Sequence, residues 1–274
     1  RRGFGPSWRD VSSPKRSKFT QQIEADMPFY DRAGAKIYFE TYGKGPPILL
    51  LAPGGMKSAI RFWQNAPWDP IALLAQNYHV VVMDQRNAGQ SYGVVTAADG
   101  WHTYAADQLG LMDHLDIQRF HVAGMCIGGP FALGLIKAAP ERVVSATLLQ
   151  TIGRDNNDDV FYAMFDDWAK PLHSTRDNVS EAAWQSFREN LYGGEQVLFN
   201  VDERFLATCK TPLLVLMGND VYHPESTSRL IARSAPEVTF IERWKSGEDA
   251  ALAKDALMGF LTTCASRESD NPMR

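Results

Sequence analysis

The stretch of residues 120–133 is the feature that most constrains how this chain can fold. An apolar run leads into a cluster of small residues, Gly-Met-Cys-Ile-Gly-Gly at 124–129, and an apolar helix-like segment follows. This order predicts a strand, a sharp turn and a helix, with Cys126 at the turn. Glycine two positions to either side suits a strained turn, since larger side chains would collide there. At the N-terminus of the following helix, free N–H groups favour a thiolate over a thiol.

The pattern around Cys126 is that of a nucleophile elbow, G-x-S-x-G, with sulfur in place of the serine oxygen. A thiolate is intrinsically nucleophilic and needs less help from a base than a hydroxyl group does. The alternative is a buried structural cysteine in a glycine-containing turn. We favour the nucleophile because the flanking strand and helix are the context that the motif requires.

Length and composition fit one large α/β domain and disfavour several classes of partner. The chain has 274 residues, of which 45% are hydrophobic, and its formal net charge is −4. This charge predicts neither nucleic acid nor a membrane surface as a partner, and no apolar run is long enough to cross a bilayer. The cysteines, Cys126, Cys209 and Cys264, are too irregularly spaced for a disulfide framework, which favours a reduced, cytoplasmic compartment. Because residue 1 is not Met, this prediction leaves room for a removed leader.

Apolar runs that alternate with helical patterns predict a mostly parallel sheet with helices on both faces. A hairpin is predicted within residues 29–42, and buried strands are predicted at 48–52, 78–83, before Cys126, and at 143–149, 212–217 and 238–242. Helices are predicted at 67–76, 103–115, 225–234 and 248–263. Ligands bind beyond the carboxyl ends of parallel strands, so the loops that follow these strands should gather around one pocket.

The alternation of strands and helices stops at Arg154 and resumes after residue 205. We interpret this insertion as a helical cap over the active site, with Phe165 and Trp168 enclosing a substrate. The alternative is a helical embellishment packed elsewhere on the core. The predicted division of the chain is an N-terminal arm (1–27), a core (28–153 and 206–265), a helical cap (154–205) and a C-terminal tail (266–274).

Four segments, in this order, resemble the α/β-hydrolase fold superfamily. They are the Pro-Gly-Gly loop at 53–55, Asp-Gln-Arg-Asn-Ala-Gly-Gln-Ser at 84–91, the elbow, and Gly-Asn-Asp at 218–220. The resemblance covers residues 28–265 and is specific as a set, although each motif alone is not. It implies an α/β-hydrolase fold, with a mostly parallel central sheet and a helical cap insertion.

The resemblance also implies roles for particular residues. Backbone N–H groups of Gly55 or Met56 and of Ile127 would form the oxyanion hole. Asp220 occupies the position of the acid of the catalytic triad. Some members of the superfamily, dienelactone hydrolases among them, use a cysteine nucleophile, so Cys126 is compatible with catalysis.

The chain departs from the family where the triad histidine is expected, after the last strand. Residues 243–249 contain no histidine, and all six histidines precede them. We favour His223 as the acid–base group, since it lies three residues after Asp220 on the loop predicted to face the elbow. Alternatively, His223 only braces this loop. His102, just before a helix, is a further candidate for lining the pocket.

The leading hypothesis is a hydrolase in which Cys126 attacks a carbonyl carbon. The bond cleaved would be an ester, lactone, thioester or activated C–C or C–N carbonyl bond of a small to medium organic substrate. The missing histidine motivates two alternatives: a lyase, cyclase or isomerase that uses the same pocket, and a catalytically degenerate binding protein. No metal-ligand spacing and no G-x-G-x-x-G motif occurs, so no metal or other cofactor is expected. The expected partner is a small-molecule substrate, and a homodimer is left open.

Overall fold

The computed structural model describes residues 29–270, which form a nine-stranded sheet with helices around it. The strands are β1 (Phe29–Arg32), β2 (Ala35–Tyr42), β3 (Pro47–Leu51), β4 (His79–Met83), β5 (Tyr92–Gly93), β6 (Phe120–Met125), β7 (Val143–Leu149), β8 (Leu213–Leu216) and β9 (Val238–Ile241). The helices are α1 (Pro70–Leu74), α2 (Trp101–His114), α3 (Gly128–Ala138), α4 (Asp158–His173), α5 (Glu181–Tyr192), α6 (Glu203–Thr208), α7 (Glu225–Ser234) and α8 (Gly247–Asp270). Two 3-10 helices span Gly55–Lys57 and Ile60–Asn65. The predicted N-terminal arm (1–27) lies outside the described residues.

The sheet has the order β1-β2-β4-β3-β6-β7-β8-β9, and the short β5 pairs with β2. β1 and β2 pair antiparallel, as does β2 with β4, whereas the pairs from β4 through β9 are parallel. Alternate residues of one strand enter two separate cores: Leu49 and Leu51 pack on one face of the sheet, and Ile48 and Leu50 on the other. Burial on both faces explains the continuous apolar runs and confirms the predicted fold class.

In the segment between β3 and β4, the helix is shorter than predicted. A helix was expected over 67–76, but the structure has the 3-10 helix Ile60–Asn65 and only five helical residues in α1. Asp69 fixes the start of α1, because its carboxylate accepts the N–H groups of Ile71 (2.9 Å) and Ala72 (3.1 Å). The chain then turns at once toward β4, with the Asn77 N–H donating to the Leu74 carbonyl (3.0 Å).

The closing helix α8 is longer than the sequence pattern predicts. It extends to Asp270, so the predicted tail (266–274) begins inside a helix. Side chains at helical spacing, Ala253, Leu257 and Leu261, are buried against the sheet face that also holds Ile48 and Leu50, and Cys264, one turn further on, is buried as well. Within residues 29–270, no helix combines the length and the apolar character that crossing a bilayer requires.

The predicted insertion, residues 154–205 between β7 and β8, contains α4, α5 and the start of α6. The two long helices join through aromatic rings, with ring centroids 5.3 Å apart for Phe165 and Phe187 and 6.1 Å apart for Trp168 and Trp184. The indole N–H of Trp168 donates to the carbonyl of Asn87 (3.0 Å), in the loop that follows β4. Helix α4 also contacts the 3-10 helix Gly55–Lys57. The insertion therefore rests on the carboxyl-terminal edge of the sheet.

Candidate active site

Cys126 lies in a sharp turn between β6 and α3. Its φ of 62° is in the left-handed region, and its N–H donates to the Leu149 carbonyl (3.0 Å). A Cβ atom on Gly124 would lie 2.0 Å from the carbonyl oxygen of Gly128, and one on Gly128 would lie 2.3 Å from that of Leu51. Both glycines are therefore required by backbone packing. Together they hold Cys126 at the carboxyl edge of the sheet, partly exposed.

The loop between β8 and α7 carries Asp220 and His223, and it folds back on itself. Asp220 Oδ1 accepts the backbone N–H groups of Tyr222 (3.0 Å) and His223 (3.1 Å). This turn brings His223 Nδ1 to 2.7 Å and 2.8 Å from the two carboxylate oxygens. The other ring nitrogen, Nε2, is buried and makes no hydrogen bond of regular geometry to any residue in 29–270. His223 Nε2 is thus the atom left available for chemistry.

Cys126 and His223 are close enough to shift each other's pKa. Burial disfavours the Cys126 thiolate, but the interaction with His223 and the backbone N–H groups of Gly54 and Ile127 outweigh this effect and lower the pKa of the thiol. Burial likewise disfavours charged His223, and Cys126 together with Asp220 outweighs it, so the pKa of the imidazole is raised. For Asp220, burial is outweighed by His223, and the pKa of the carboxyl is lowered. All three shifts favour the form with a thiolate, an imidazolium and a carboxylate.

The glycine loop after β3, residues 53–55, lies beside Cys126. Gly54 (φ 116°) and Gly55 (φ 57°) adopt conformations that favour glycine, and the backbone N–H of Gly54 contributes to the lowered pKa of the Cys126 thiol. The sequence pointed to Gly55 or Met56 on this loop and to Ile127 after the cysteine. The backbone N–H groups that lower the pKa of the Cys126 thiol are those of Gly54 and Ile127, and Gly55 and Met56 follow Gly54 in the chain.

The segment after β9, where the family has its histidine, makes hydrogen bonds to the loop that carries Asp220 and His223. The indole N–H of Trp244 donates to the Met217 carbonyl (2.8 Å), and Lys245 Nζ donates to Asn219 Oδ1 (2.5 Å). Burial lowers the pKa of the Lys245 ammonium, and the charge of Asp220 partly opposes this. Trp244 and Lys245 therefore help to fix the residues that immediately precede Asp220.

The three side chains predicted to line the pocket are in different environments. His102 is exposed at the start of α2. Phe165 and Trp168 are buried, and their rings pack on each other (5.4 Å) and on Phe187. These two aromatic side chains form the internal core of the insertion, and Trp168 also ties it to the loop after β4.

Other residues of the insertion lie against the loops that carry the site. A Cβ atom on Gly55 would lie 2.1 Å from Met164 Sδ, so Met164 sits directly on the glycine loop. The ring of Phe161 is 5.7 Å from that of Tyr192 and 6.2 Å from that of Tyr222, beside His223. Phe161 and Met164 are spaced at i, i+3 and i+4 from Phe165 and Trp168, so the sequence indicates that they share a helical face with them. No comparable motif or spacing points to Tyr192.

Comparison with known proteins decides the family. The model of the alpha/beta hydrolase fold family matches residues 47–236. This chain belongs to the α/β-hydrolase family. The hydrolase is 28% identical over 268 residues to a protein of Azorhizobium caulinodans named as a carbamate hydrolase, RutD, a match that covers 85% of this chain and 98% of that protein. It is 27% identical over 139 residues to the 2-hydroxy-6-oxononadienedioate/2-hydroxy-6-oxononatrienedioate hydrolase of Paraburkholderia xenovorans, covering 51% of this chain and 46% of that protein.

Among solved structures, the fold is similar to that of the enol-lactonase from Burkholderia xenovorans LB400. The TM-score is 0.64 at 20% identity, and the match covers 86% of this hydrolase and 100% of the lactonase. Because relatives in sequence are hydrolases and the fold is that of this family, the chain is a hydrolase, with its reaction subclass open.

Features elsewhere in the hydrolase do not extend this site. A cavity of about 920 Å³ lies at the opposite edge of the sheet, near the first residues of β7, and Cys209 and Cys264 are among its lining residues. All three cysteines are free thiols, and Cys209 and Cys264 are buried. Among residues 29–270, no group of three or more His, Cys, Asp or Glu side chains is arranged to hold a metal ion.

Proposed function

We propose that this hydrolase works through a cysteine nucleophile, Cys126, with His223 as the acid–base group and Asp220 orienting it. The observation that carries the proposal is the pair of bonds from His223 Nδ1 to the Asp220 carboxylate, which leaves Nε2 for Cys126. The opposite pKa shifts of Cys126 and His223 support it, because a nucleophile and its base need this coupling. A histidine on the acid's own loop would replace the one that the family carries after the last strand.

The first half of the reaction would form a thioester. Cys126 Sγ attacks the carbonyl carbon, and the negative charge passes from sulfur to the carbonyl oxygen. Ile127 N–H and a donor from the glycine loop, among Gly54, Gly55 and Met56, would stabilise this oxyanion as the thiolate loses its charge. His223 Nε2 gives its proton to the leaving oxygen, nitrogen, sulfur or carbon, and the bond to the carbonyl carbon breaks.

The second half would hydrolyse the thioester. His223, now neutral, accepts a proton from water as the hydroxyl oxygen attacks the thioester carbon. The C–S bond breaks, the acid leaves, and the thiolate–imidazolium pair is restored. Each turnover thus consumes one water molecule and leaves the enzyme unchanged, so no cofactor enters the balance.

The proposed substrate is a small to medium ester, lactone, thioester or activated C–C or C–N carbonyl compound. The names of the relatives, a carbamate hydrolase and a hydrolase of 2-hydroxy-6-oxo dienoic and trienoic acids, support this range of carbonyl chemistry. The α4–α5 insertion would act as a cap, because Met164 lies on the glycine loop and Phe161 beside Tyr222. Its aromatic side chains favour a substrate with an apolar body.

The rate of iodoacetamide labelling at Cys126, measured against pH, tests the proposed pair. Wild type should label at neutral pH, because the lowered pKa of the thiol provides thiolate there. In His223→Gln the imidazolium charge is lost, so the labelling profile should move to higher pH. Cys126→Ala supplies the background, which should be low because Cys209 and Cys264 are buried.

The same variants test the chemistry with p-nitrophenyl acetate. Wild type should release a burst of p-nitrophenol equal to one equivalent of enzyme, and Cys126→Ala none, since the acyl group has no sulfur to bind. A labelling profile indifferent to His223, together with no burst, would contradict the cysteine mechanism. The lyase, cyclase or isomerase alternative, or a binding protein, would then be preferred.

A further inference from the structure

Tyr192, the last residue of α5, is held rigidly beside the site. It is buried, and its ring centroid lies 5.7 Å from that of Phe161, 6.0 Å from Trp101 and 5.4 Å from Phe199. Its backbone carbonyl accepts a hydrogen bond from Arg154 Nη2 (2.6 Å). A side chain fixed in this way can direct its hydroxyl group without paying further conformational entropy.

Among residues 29–270, the hydroxyl of Tyr192 has one hydrogen-bond partner, and that partner is weak. It donates to the thioether sulfur of Met56 (3.4 Å), and thioethers are poor acceptors. A phenylalanine would fill the same aromatic cage without burying a poorly bonded hydroxyl, which costs free energy. Met56 follows Gly55 on the glycine loop, and Phe161 packs on both Tyr192 and Tyr222, so the Tyr192 hydroxyl lies beside the loops that carry the site. Burial raises the pKa of Tyr192 far above its usual range, so the hydroxyl stays protonated.

Tyr104 on α2 provides a second buried hydroxyl close to Tyr192. It is 1% exposed, and its oxygen has no hydrogen-bond partner among residues 29–270. Arg86, whose charge acts on Tyr104, is already neutralised by a bidentate ion pair with Asp107 (2.8 Å and 2.7 Å). Arg154, which bonds to the Tyr192 carbonyl, is likewise paired with a carboxylate, that of Asp158. The two tyrosine hydroxyls are therefore neutral O–H donors beside cations that already have anionic partners.

We propose that Tyr192 is a substrate-binding residue whose hydroxyl donates a hydrogen bond to a neutral oxygen, such as a ketone or hydroxyl oxygen, that the substrate carries in addition to its reacting carbonyl group. Without substrate, the hydroxyl donates to Met56 Sδ. Because that hydrogen bond is weak, a substrate oxygen can readily replace the sulfur as the acceptor. The preferred substrates are thus oxo- or hydroxy-substituted carbonyl compounds. This inference rests on the proposed cysteine mechanism, since it places the substrate over Cys126.

Matched pairs of activated esters test the proposal in the full-length enzyme. p-Nitrophenyl pentanoate and p-nitrophenyl 4-oxopentanoate place the additional oxygen on the acyl side. Phenyl acetate and 4-acetylphenyl acetate place it on the leaving group. The readout is the ratio of acylation rates within each pair, compared between wild type and Tyr192→Phe, so the intrinsic reactivities of the esters cancel.

In at least one pair, wild type should favour the oxo ester by about three- to tenfold more than Tyr192→Phe does, the usual contribution of one neutral hydrogen bond. The variant should unfold at the same temperature as wild type or higher, which separates binding from a structural role. Tyr162→Phe is the matched control, because the Tyr162 hydroxyl bonds to the exposed carboxylate of Glu189, and it should leave both ratios unchanged.

Two outcomes distinguish failure of the inference from failure of the proposed function. If wild type is acylated by these esters but Tyr192→Phe changes neither ratio, Tyr192 does not bind the substrate oxygen and the inference is overturned. If no ester acylates Cys126 in wild type, the cysteine mechanism itself fails, and the inference fails with it.

Discussion

Two glycines, Gly124 and Gly128, allow the backbone to adopt the sharp turn that carries Cys126. Strand β6 and helix α3 approach so closely that the Cα of Gly124 faces the carbonyl of Gly128, and the Cα of Gly128 faces that of Leu51. These contacts are with backbone atoms, which cannot rotate out of the way as a side chain can. The positive φ of Cys126 adds local strain that the surrounding parallel strands must support.

Gly124→Ala should therefore lower the free energy of unfolding by about 3 kcal/mol or more, as overpacked core positions do. Gly259→Ala is the matched control, because nothing lies within 4 Å of a Cβ atom at this position of α8. It should raise the stability by about 0.5–1 kcal/mol, since alanine is the better helix former. Urea denaturation of both variants measures the difference. A Gly124→Ala protein as stable as wild type would show that the turn can relax.

Residues of the site differ in how much a sequence tells about them. The sequence points to Cys126 and Asp220 because each belongs to a short motif, and to His223 because it lies three residues after Asp220. The structure brings these residues together. Their catalytic roles stay predictions. Tyr192 could not be found this way, because its hydroxyl meets Met56 across 136 positions of the chain. Such a contact depends on how α5 settles over the sheet, which local spacing does not encode.

At the scale of elements, a buried ion pair joins the loop after β4 to α2. Arg86 Nε and Nη2 donate to the two carboxylate oxygens of Asp107, and both side chains are almost entirely buried. Burial disfavours the charge on Arg86, but Asp107 outweighs it and the guanidinium pKa is raised. The pair fixes the loop on which Trp168 of the insertion rests through Asn87.

Asp107→Leu should destabilise the enzyme by about 3–5 kcal/mol, because it leaves the Arg86 charge buried without a partner. The double variant Arg86→Met with Asp107→Leu should recover most of this loss, since no charge then stays buried. Glu242→Gln, which breaks the exposed ion pair with Arg229, should leave the denaturation midpoint unchanged. Chemical denaturation measures the free energy of unfolding of each variant. If the double variant is no more stable than Asp107→Leu, the loss of stability comes from packing and not from the unpaired charge.

The sequence predicts the bounds of a strand or helix well where its apolar pattern begins and ends sharply. Strand β7 (Val143–Leu149) and helix α7 (Glu225–Ser234) have the predicted bounds. The predicted helix at 67–76 is mostly absent because the chain must turn quickly into β4, a tertiary demand that overrides the helical spacing. In α8 the pattern weakened after residue 263, yet burial of Cys264 continues the helix.

At the scale of the whole molecule, a buried histidine links folding to pH. His121 in β6 is 1% exposed, and its Nδ1 lies 2.8 Å from Ser145 Oγ in the neighbouring strand β7. Burial lowers its pKa to about 4, from an ordinary value of 6.5. The folded protein therefore keeps this ring neutral at pH values where the unfolded chain binds a proton.

The free energy of unfolding should fall by about 3 kcal/mol as pH decreases from 6.5 to 4 because of this one residue. The sign follows from proton binding: the unfolded state takes up the proton first, so acid favours it. His121→Asn removes the titrating group and should flatten the curve over this range. His102→Gln removes an exposed histidine and should keep the wild-type slope. Equal slopes in His121→Asn and wild type, measured by denaturant titration at each pH, would contradict this assignment.

The close spacing of Asp220 and His223 has a consequence for inheritance. When a base and its acid lie on separate loops, recombination between homologous genes can divide them, and each half is useless alone. Here the proposed base and its proposed acid lie within four consecutive residues, and the turn that joins them is closed by their own backbone. An exchange of gene segments outside these few codons therefore keeps the pair together. The short string Gly-Asn-Asp-x-x-His could be moved as one unit onto the same loop of another chain.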